Sequence, residues 1–180
     1  MYKQCITEES AYRQRQLEQC LLELMLTAEY SQITVGDICS KAGIARKSFY
    51  RYFSSKEGCL YALIDHAIFD GASYYLPGHR DDSSRSVMCE RFFLYWKEQR
   101  LLLDALTRNG ISILLAQRMM NYITYDDITF RFQRNFHTEN ALEREQFFVG
   151  GIMALLFQWH QTGFAKSHIH MARILSELLD

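Results

Sequence analysis

Proline is nearly absent from this 180-residue chain, Pro77 being the single instance, and glycine is held to nine positions. So few turn formers exclude a turn-rich β sandwich or barrel. With 48% hydrophobic and 14% aromatic residues, the composition points to an all-α protein with a substantial core. Long hydrophobic runs are lacking as well. The longest, FFVGGIMALLF at residues 147–157, has eleven residues, against the ~20 that cross a bilayer as a helix; it reads as a buried helix, and no membrane partner is expected. The opening MYKQCITEESAYRQRQ has none of the apolar core of a secretory leader, so a cytoplasmic location is expected. The five cysteines, at 5, 20, 39, 59 and 89, are odd in number and make no CxxC pair. That excludes a disulfide framework and a thiolate zinc site and leaves free thiols, and no flanking charge pattern selects one of them as a redox sensor.

Catalytic signatures are missing too. GxGxxG, P-loop, GxSxG and kinase patterns do not occur, so no enzyme activity and no cofactor are expected. The HIH at residues 168–170 places its two histidines about 200° apart on a helix, where they do not converge on a metal. His66, His79, His137 and His160 are scattered, and the pair Asp126 and Asp127 has no inferable partner for acid–base work. No metal site is expected.

What is there is a local concentration of charge in a chain whose formal net charge is -1. The stretch KAGIARKSFYRYFSSKEG, residues 41–58, holds five basic side chains and four aromatic rings, and no acidic residue occurs from Ile38 through Lys56. Helix punctuation surrounds it. A first helix is expected over about residues 9–29, where Leu17, Cys20, Leu21, Leu24, Met25 and Ala28 recur on one face and Glu8 and Glu9 suit its positive end. Thr34 and Asp37 form the start signal of a second, short helix that stops at Gly43, a residue able to take the left-handed conformation. A third helix begins near Ala45, and Ser54 with Glu57 opens a fourth carrying Leu60, Leu63, Ile64 and Ala67. Two short helices joined by a glycine turn spell helix-turn-helix.

If residues 46–52 are helical, the 100° step turns Phe49 and Phe53 inward and Arg46, Lys47, Ser48, Tyr50 and Arg51 outward. A basic face interleaved with hydroxyls fits DNA, because lysine and arginine neutralise phosphates and reach guanine edges while hydroxyls bond phosphate oxygens. An ordinary solvated helix accounts for the charges alone but not for the surrounding glycine turn and capping boxes.

LPGHRDDSSRS, at residues 76–86, is the clearest boundary and is read as the link between a head and a body. Beyond it apolar periodicity returns near 86–103, 111–135, 140–163 and 167–179, separated by Asn109-Gly110, HTEN and GFAKS, with no strand pattern and no repeat.

ITVGDICSKAGIARKSFYRYFSSKEGCLYALI, residues 33–64, resembles the N-terminal DNA-binding domain of the TetR family of bacterial transcription regulators. The resemblance implies a head over 1–65 and a helical ligand-sensing and dimerisation domain over 66–180. It implies that Thr34 caps the second helix against a phosphate, that Lys47 and Ser48 meet the groove, and that Tyr50, Tyr52 and Lys56 bind backbone phosphates; Arg46 joins them from the exposed face. Ala45 departs from the family, which commonly has a capping serine or threonine there.

The segment VGGIMALLFQWHQTGFAKSHIHMARILSELL is similar to the last two helices of a subgroup that includes regulators related to the activator of dihydroxyacetone kinase genes. By that likeness the two helices pair with their copies in a second subunit. Small residues Gly150, Gly151 and Ala154 allow close approach, and Phe148, Ile152, Leu155 and Trp159 form a stripe for burial. Phe148, Gly151, Ala154, Leu155 and Trp159 are the interface candidates. A ligand pocket of the family type would draw on Phe92, Tyr95, Trp96, Tyr122 and Tyr125, which serve equally as plain core. The expectation is a homodimeric repressor released from a palindromic operator in double-stranded DNA by a small-molecule effector. The alternative is a co-regulator or activator controlled by a protein partner.

Overall fold

The computed structural model describes residues 2–75, 85–125 and 140–178. Among these residues the chain forms nine α-helices and no strand, the only β pairing being an isolated bridge between Tyr2 and Phe53. The link at 76–86 lies almost wholly outside the described residues, as do His79, Asp126, Asp127 and His137. No helix among the described residues is long and apolar enough to cross a membrane.

Helix α1 (Glu8–Met25) starts where Thr7 accepts a hydrogen bond from the Ser10 N–H, with Glu8 and Glu9 in its first turn. It ends earlier than the periodicity predicts, because its last turn meets a partner remote in sequence: the Asn109 side chain donates to the Met25 carbonyl at 3.0 Å. Helix α2 (Val35–Ala42) has the expected reciprocal capping box, Thr34 with Asp37, and ends at Gly43 with φ 65°.

Helix α3 (Arg46–Phe49) is a single turn, shorter than the 46–52 expected, and it starts at Ala45 without a side-chain cap. Residues 50–52 continue as a turn held by Arg51 N–H to Ser48 and Tyr52 N–H to Phe49. The helix cannot extend as drawn from the sequence, because the Tyr52 carbonyl accepts the Lys3 N–H at 3.0 Å and Phe53 pairs with Tyr2. Helix α4 (Lys56–Tyr75) is capped by Ser55 rather than Ser54: Gly58 N–H donates to Ser55 Oγ at 3.2 Å. Ser55 directly precedes the first helical residue, so its hydroxyl reaches the third N–H of the helix.

The remaining helices are α5 (Arg85–Glu98), α6 (Arg100–Arg108), α7 (Ile113–Tyr125), α8 (Ala141–Gln161) and α9 (His168–Leu178). The chain divides into two compact units, one of Met1–Ala67 with Asp104–Ser112, the other of Ile68–Leu103 with Ile113–Asp180. The first encloses Leu17, Leu21, Met25, Ile38, Phe49, Phe53, Leu60 and Ile64. In the second, α5 packs on α9 and α8, and α7 packs on α8. Its core holds Phe92, Phe93, Trp96, Leu156, Trp159, Met171 and Leu175. After α8 the backbone is left-handed at both Gly163 and Phe164. That conformation is unfavourable for a residue with a side chain, and here the Phe164 ring is seated edge-on against Trp159 at 4.7 Å.

Candidate nucleic-acid interface

The expected DNA-facing surface is built on three local devices. Thr34 Oγ1 accepts the Asp37 N–H and donates to Asp37 Oδ2 at 2.7 Å, while Asp37 Oδ2 also accepts the Thr34 N–H at 2.8 Å. These bonds hold the Asp37 carboxyl below its usual range, the Thr34 hydroxyl first, its N–H next, with the Arg46 charge a lesser cause. Gly43 then reverses the chain, and Ile44 N–H caps the Cys39 carbonyl at 3.0 Å. Finally Phe49 and Phe53, both fully buried with ring centroids 5.1 Å apart, anchor α3 and its following turn to the core.

With that anchor in place Arg46, Lys47, Tyr50 and Arg51 are exposed and Ser48 is half-buried. Tyr50 leans edge-on against Phe49 at 5.6 Å, which steadies the base of its ring. Arg46 lies beside the start of α2, its guanidinium carbon 3.9 Å from where a Cβ on Gly36 would sit. Tyr52 is half-buried against Phe53.

Lys56 departs from its expected role at a phosphate. Its Nζ donates to the carbonyls of Tyr30 at 2.6 Å and Ile33 at 2.7 Å and lies over the Tyr30 ring, 4.2 Å from the centroid. Two of its three N–H groups are committed, so the side chain clamps the α1–α2 connection to the start of α4. Lys41, also in the basic stretch, is paired with Glu23 at 2.9 Å.

The candidates in the second unit separate into two groups. Phe92 and Trp96 are fully buried and Tyr95 nearly so, packed ring against ring with Tyr75: Tyr75–Phe92 5.2 Å, Tyr95–Trp96 5.4 Å, Tyr75–Tyr95 6.1 Å. Burial, then the neighbouring Tyr95, pushes the Tyr75 hydroxyl well above its ordinary pKa. Tyr122 packs instead on Phe69 at 4.5 Å, with Arg118 over its ring. The side chain of Tyr125 lies outside the described residues.

On α8 the predicted stripe is divided. Trp159 is buried within the chain, donating Nε1 to the Lys166 carbonyl at 2.9 Å and stacked edge-on with Phe93 at 5.4 Å. This corrects its assignment to a surface between subunits, and Ile152 turns inward with it. Gly151 and Ala154 are exposed, Phe148 and Leu155 half-buried, and Phe147 is 77% exposed. The outward edge therefore runs through 147, 151 and 154, about one residue's rotation from the stripe drawn on the sequence.

Sequence reasoning missed the N-terminal segment. Besides the bridge to Phe53, Tyr2 donates its hydroxyl to Asp65 Oδ2 at 2.9 Å, and Gln14 Nε2 donates to the Lys3 carbonyl at 3.1 Å. No periodicity or capping pattern announces such a strap, since each of its bonds goes to a partner outside the segment.

The sequence model of the bacterial regulatory proteins of the tetR family matches residues 22–63. The HTH-type transcriptional regulator EthR of Mycolicibacterium smegmatis is 42% identical over 70 residues, which are 36% of this chain and 31% of that protein. The match thus spans under a third of the relative's length. Among solved structures, a TetR transcriptional regulator from Streptococcus agalactiae superimposes with a TM-score of 0.69 over 96% of each chain at 15% identity. The dihydroxyacetone kinase operon activator DhaS does so with a TM-score of 0.57 over 94% of each chain at 18% identity. At these identities the likeness shows a shared all-α fold.

Proposed function

We propose, for a chain that belongs to the TetR family of bacterial regulatory proteins, that it regulates transcription by seating α3 in the major groove of a palindromic operator. The observation that carries this reading is the α3 face: Arg46, Lys47 and Tyr50 exposed on a turn whose Phe49 and Phe53 are wholly buried. Lys47 and Ser48 meet the groove, and Thr34, Arg46, Tyr50 and Tyr52 hold flanking phosphates. Lys56 acts indirectly, by fixing the α1–α2 connection from which the Thr34 cap starts.

A palindrome needs two recognition helices related by a two-fold axis, and the outward edge of α8, through Phe147, Gly151 and Ala154 with the half-buried Phe148 and Leu155 beside it, is the face that meets its copy. The act is repression, relieved when a signal in the C-terminal domain tilts α4 and changes the separation of the two α3 helices. A second reading, an activator or co-regulator switched by a protein partner, is favoured by the close ring-on-ring packing of Phe92, Tyr95 and Trp96, which makes those positions core.

The deciding experiment is binding to a genomic library followed by titration of a retained duplex. With about six to ten phosphate contacts per dimer, affinity should fall by roughly 10³–10⁵ between 50 and 200 mM salt. Lys47→Ala and Tyr50→Phe should each weaken binding with the fold intact. Salt-insensitive binding, or variants that bind as the parent does, would overturn the reading. A metabolite that stabilises the protein and binds less tightly when operator is present would identify the sensor mechanism; a host protein that alone changes DNA binding would identify the other.

A further inference from the structure

Residues 2–5 are held against α1 and α4 by side chains that are themselves buried. Asp65 is fully buried and Gln14 is 2% exposed. Asp65 accepts the Tyr2 hydroxyl at 2.9 Å; Gln14 donates to the Lys3 carbonyl at 3.1 Å and accepts from Cys5 Sγ at 3.2 Å. Terminal segments are poorly ordered unless tied down, and this one is tied by four bonds at Tyr2, Lys3 and Cys5, counting the Lys3 N–H on the Tyr52 carbonyl.

The strap forms one wall of a groove of about 690 Å³ whose other walls are α1 and one edge of α3. Lys3, Arg13 and Arg51 border it, together with Ser48, Tyr52 and one carboxylate, Glu9. All three cations are exposed. Against the single anion they leave an excess of positive charge on the wall nearest the recognition helix. Ala45, Ser48 and Tyr52 border the groove, whereas Arg46 does not and lies beside Gly36.

A helix lying in the major groove, about 12 Å wide, has a phosphate strand on each side. The start of α2, with Thr34 and Arg46, meets one of them. We propose that Lys3, Arg13 and Arg51 form a second phosphate-binding edge that grips the backbone of the other strand, with Tyr2 as the residue that positions Lys3. This rests on the reading of α3 as a DNA-recognition helix and extends its footprint onto residues far from the helix-turn-helix motif. Contacts of this kind carry no sequence information; they add affinity and salt dependence on any duplex.

The test measures anisotropy of a short duplex selected by the parent protein from a random-sequence pool, across a salt series, with an unrelated duplex alongside. Lys3→Ala, Arg13→Ala and Arg51→Ala should each lower the slope of log affinity against log salt by about one per protomer. Each should weaken the selected and unrelated duplexes alike, with unchanged circular dichroism and melting temperature. Tyr2→Phe should reproduce the Lys3→Ala slope, and the double variant should lose no more than either alone. If Lys3→Ala and Arg13→Ala keep the parent slope while Lys47→Ala loses affinity, the second edge is refuted and the recognition helix stands. Additive losses for Tyr2→Phe and Lys3→Ala would refute the positioning role. A parent protein that binds no duplex at all would overturn both readings together.

Discussion

Lys47 and Lys56 carry the same charge in the same basic stretch, and the fold uses them differently. Lys47 is exposed, while Lys56 bonds the Tyr30 and Ile33 carbonyls. Hydrogen bonds to a charged group contribute about 1.5–3 kcal/mol each, and buried carbonyls left without a donor add to the loss. Lys56→Met should therefore cost about 3 kcal/mol in urea unfolding, whereas Lys47→Met should change stability by under about 0.5 kcal/mol; equal effects would remove the distinction between clamp and contact. Asp37 gives the head a pH dependence of definite sign. Its folded pKa is depressed below that of an ordinary carboxyl, chiefly by the Thr34 hydrogen bonds. A group of this kind adds stability above its unfolded pKa and loses that contribution as pH falls through the folded value. Hydrogen-exchange protection of α2 should fall as the solution is taken below about pH 4, and Asp37→Asn should abolish that part of the acid dependence.

At the scale of elements, α1 shows how a helix end is set from outside. The apolar face continues to Ala28, yet the helix stops at Met25. Asn109, just past the end of α6, donates to Met25 and Ala105 carbonyls at 3.0 and 2.7 Å and accepts the Tyr30 N–H. The Tyr30 carbonyl in turn receives Lys56, so the α1–α2 connection is held from both sides. Asn109→Ala leaves a carbonyl and an N–H without these partners, at a cost of about 2–3 kcal/mol. Faster hydrogen exchange over residues 26–33, with α9 unaffected, is the expected result; a uniform change along the chain would show that the bond set has no local role. The same logic shortens α3, where the strap takes the backbone groups that another helical turn would have used.

For the whole molecule, α8 has two unlike faces and the two give opposite predictions. Ala154 is exposed in the single chain, so Ala154→Arg should leave the protomer folded while placing an unpaired charge in any contact made there. Sedimentation should then find a folded monomer at micromolar concentration, and an intact dimer would move the interface off this edge. Trp159 is 2% exposed and hydrogen-bonded within its own chain. Trp159→Ala should instead cost about 3–5 kcal/mol of protomer stability, visible as a lowered melting temperature before any change in assembly.

The features legible in the residues alone were those whose partners lie within a turn or two. The all-α character, the Thr34–Asp37 box, the Gly43 reversal and the inward pair Phe49 and Phe53 follow from spacing and backbone preference. Tertiary structure decided which basic side chain faces outward and which clamps, because the partners of Lys56 lie 23 and 26 residues away. It decided where α1 ends, because Asn109 is 84 residues from Met25, and it turned Trp159 inward by giving it Phe93 and the Lys166 carbonyl. It brought Lys3 to the groove that Arg13 and Arg51 also line, through the bonds of residues 2 and 3 to Asp65, Gln14 and Tyr52. A helical period specifies which side chains share a face; which face is covered, and by what, depends on groups that meet only once the chain has folded.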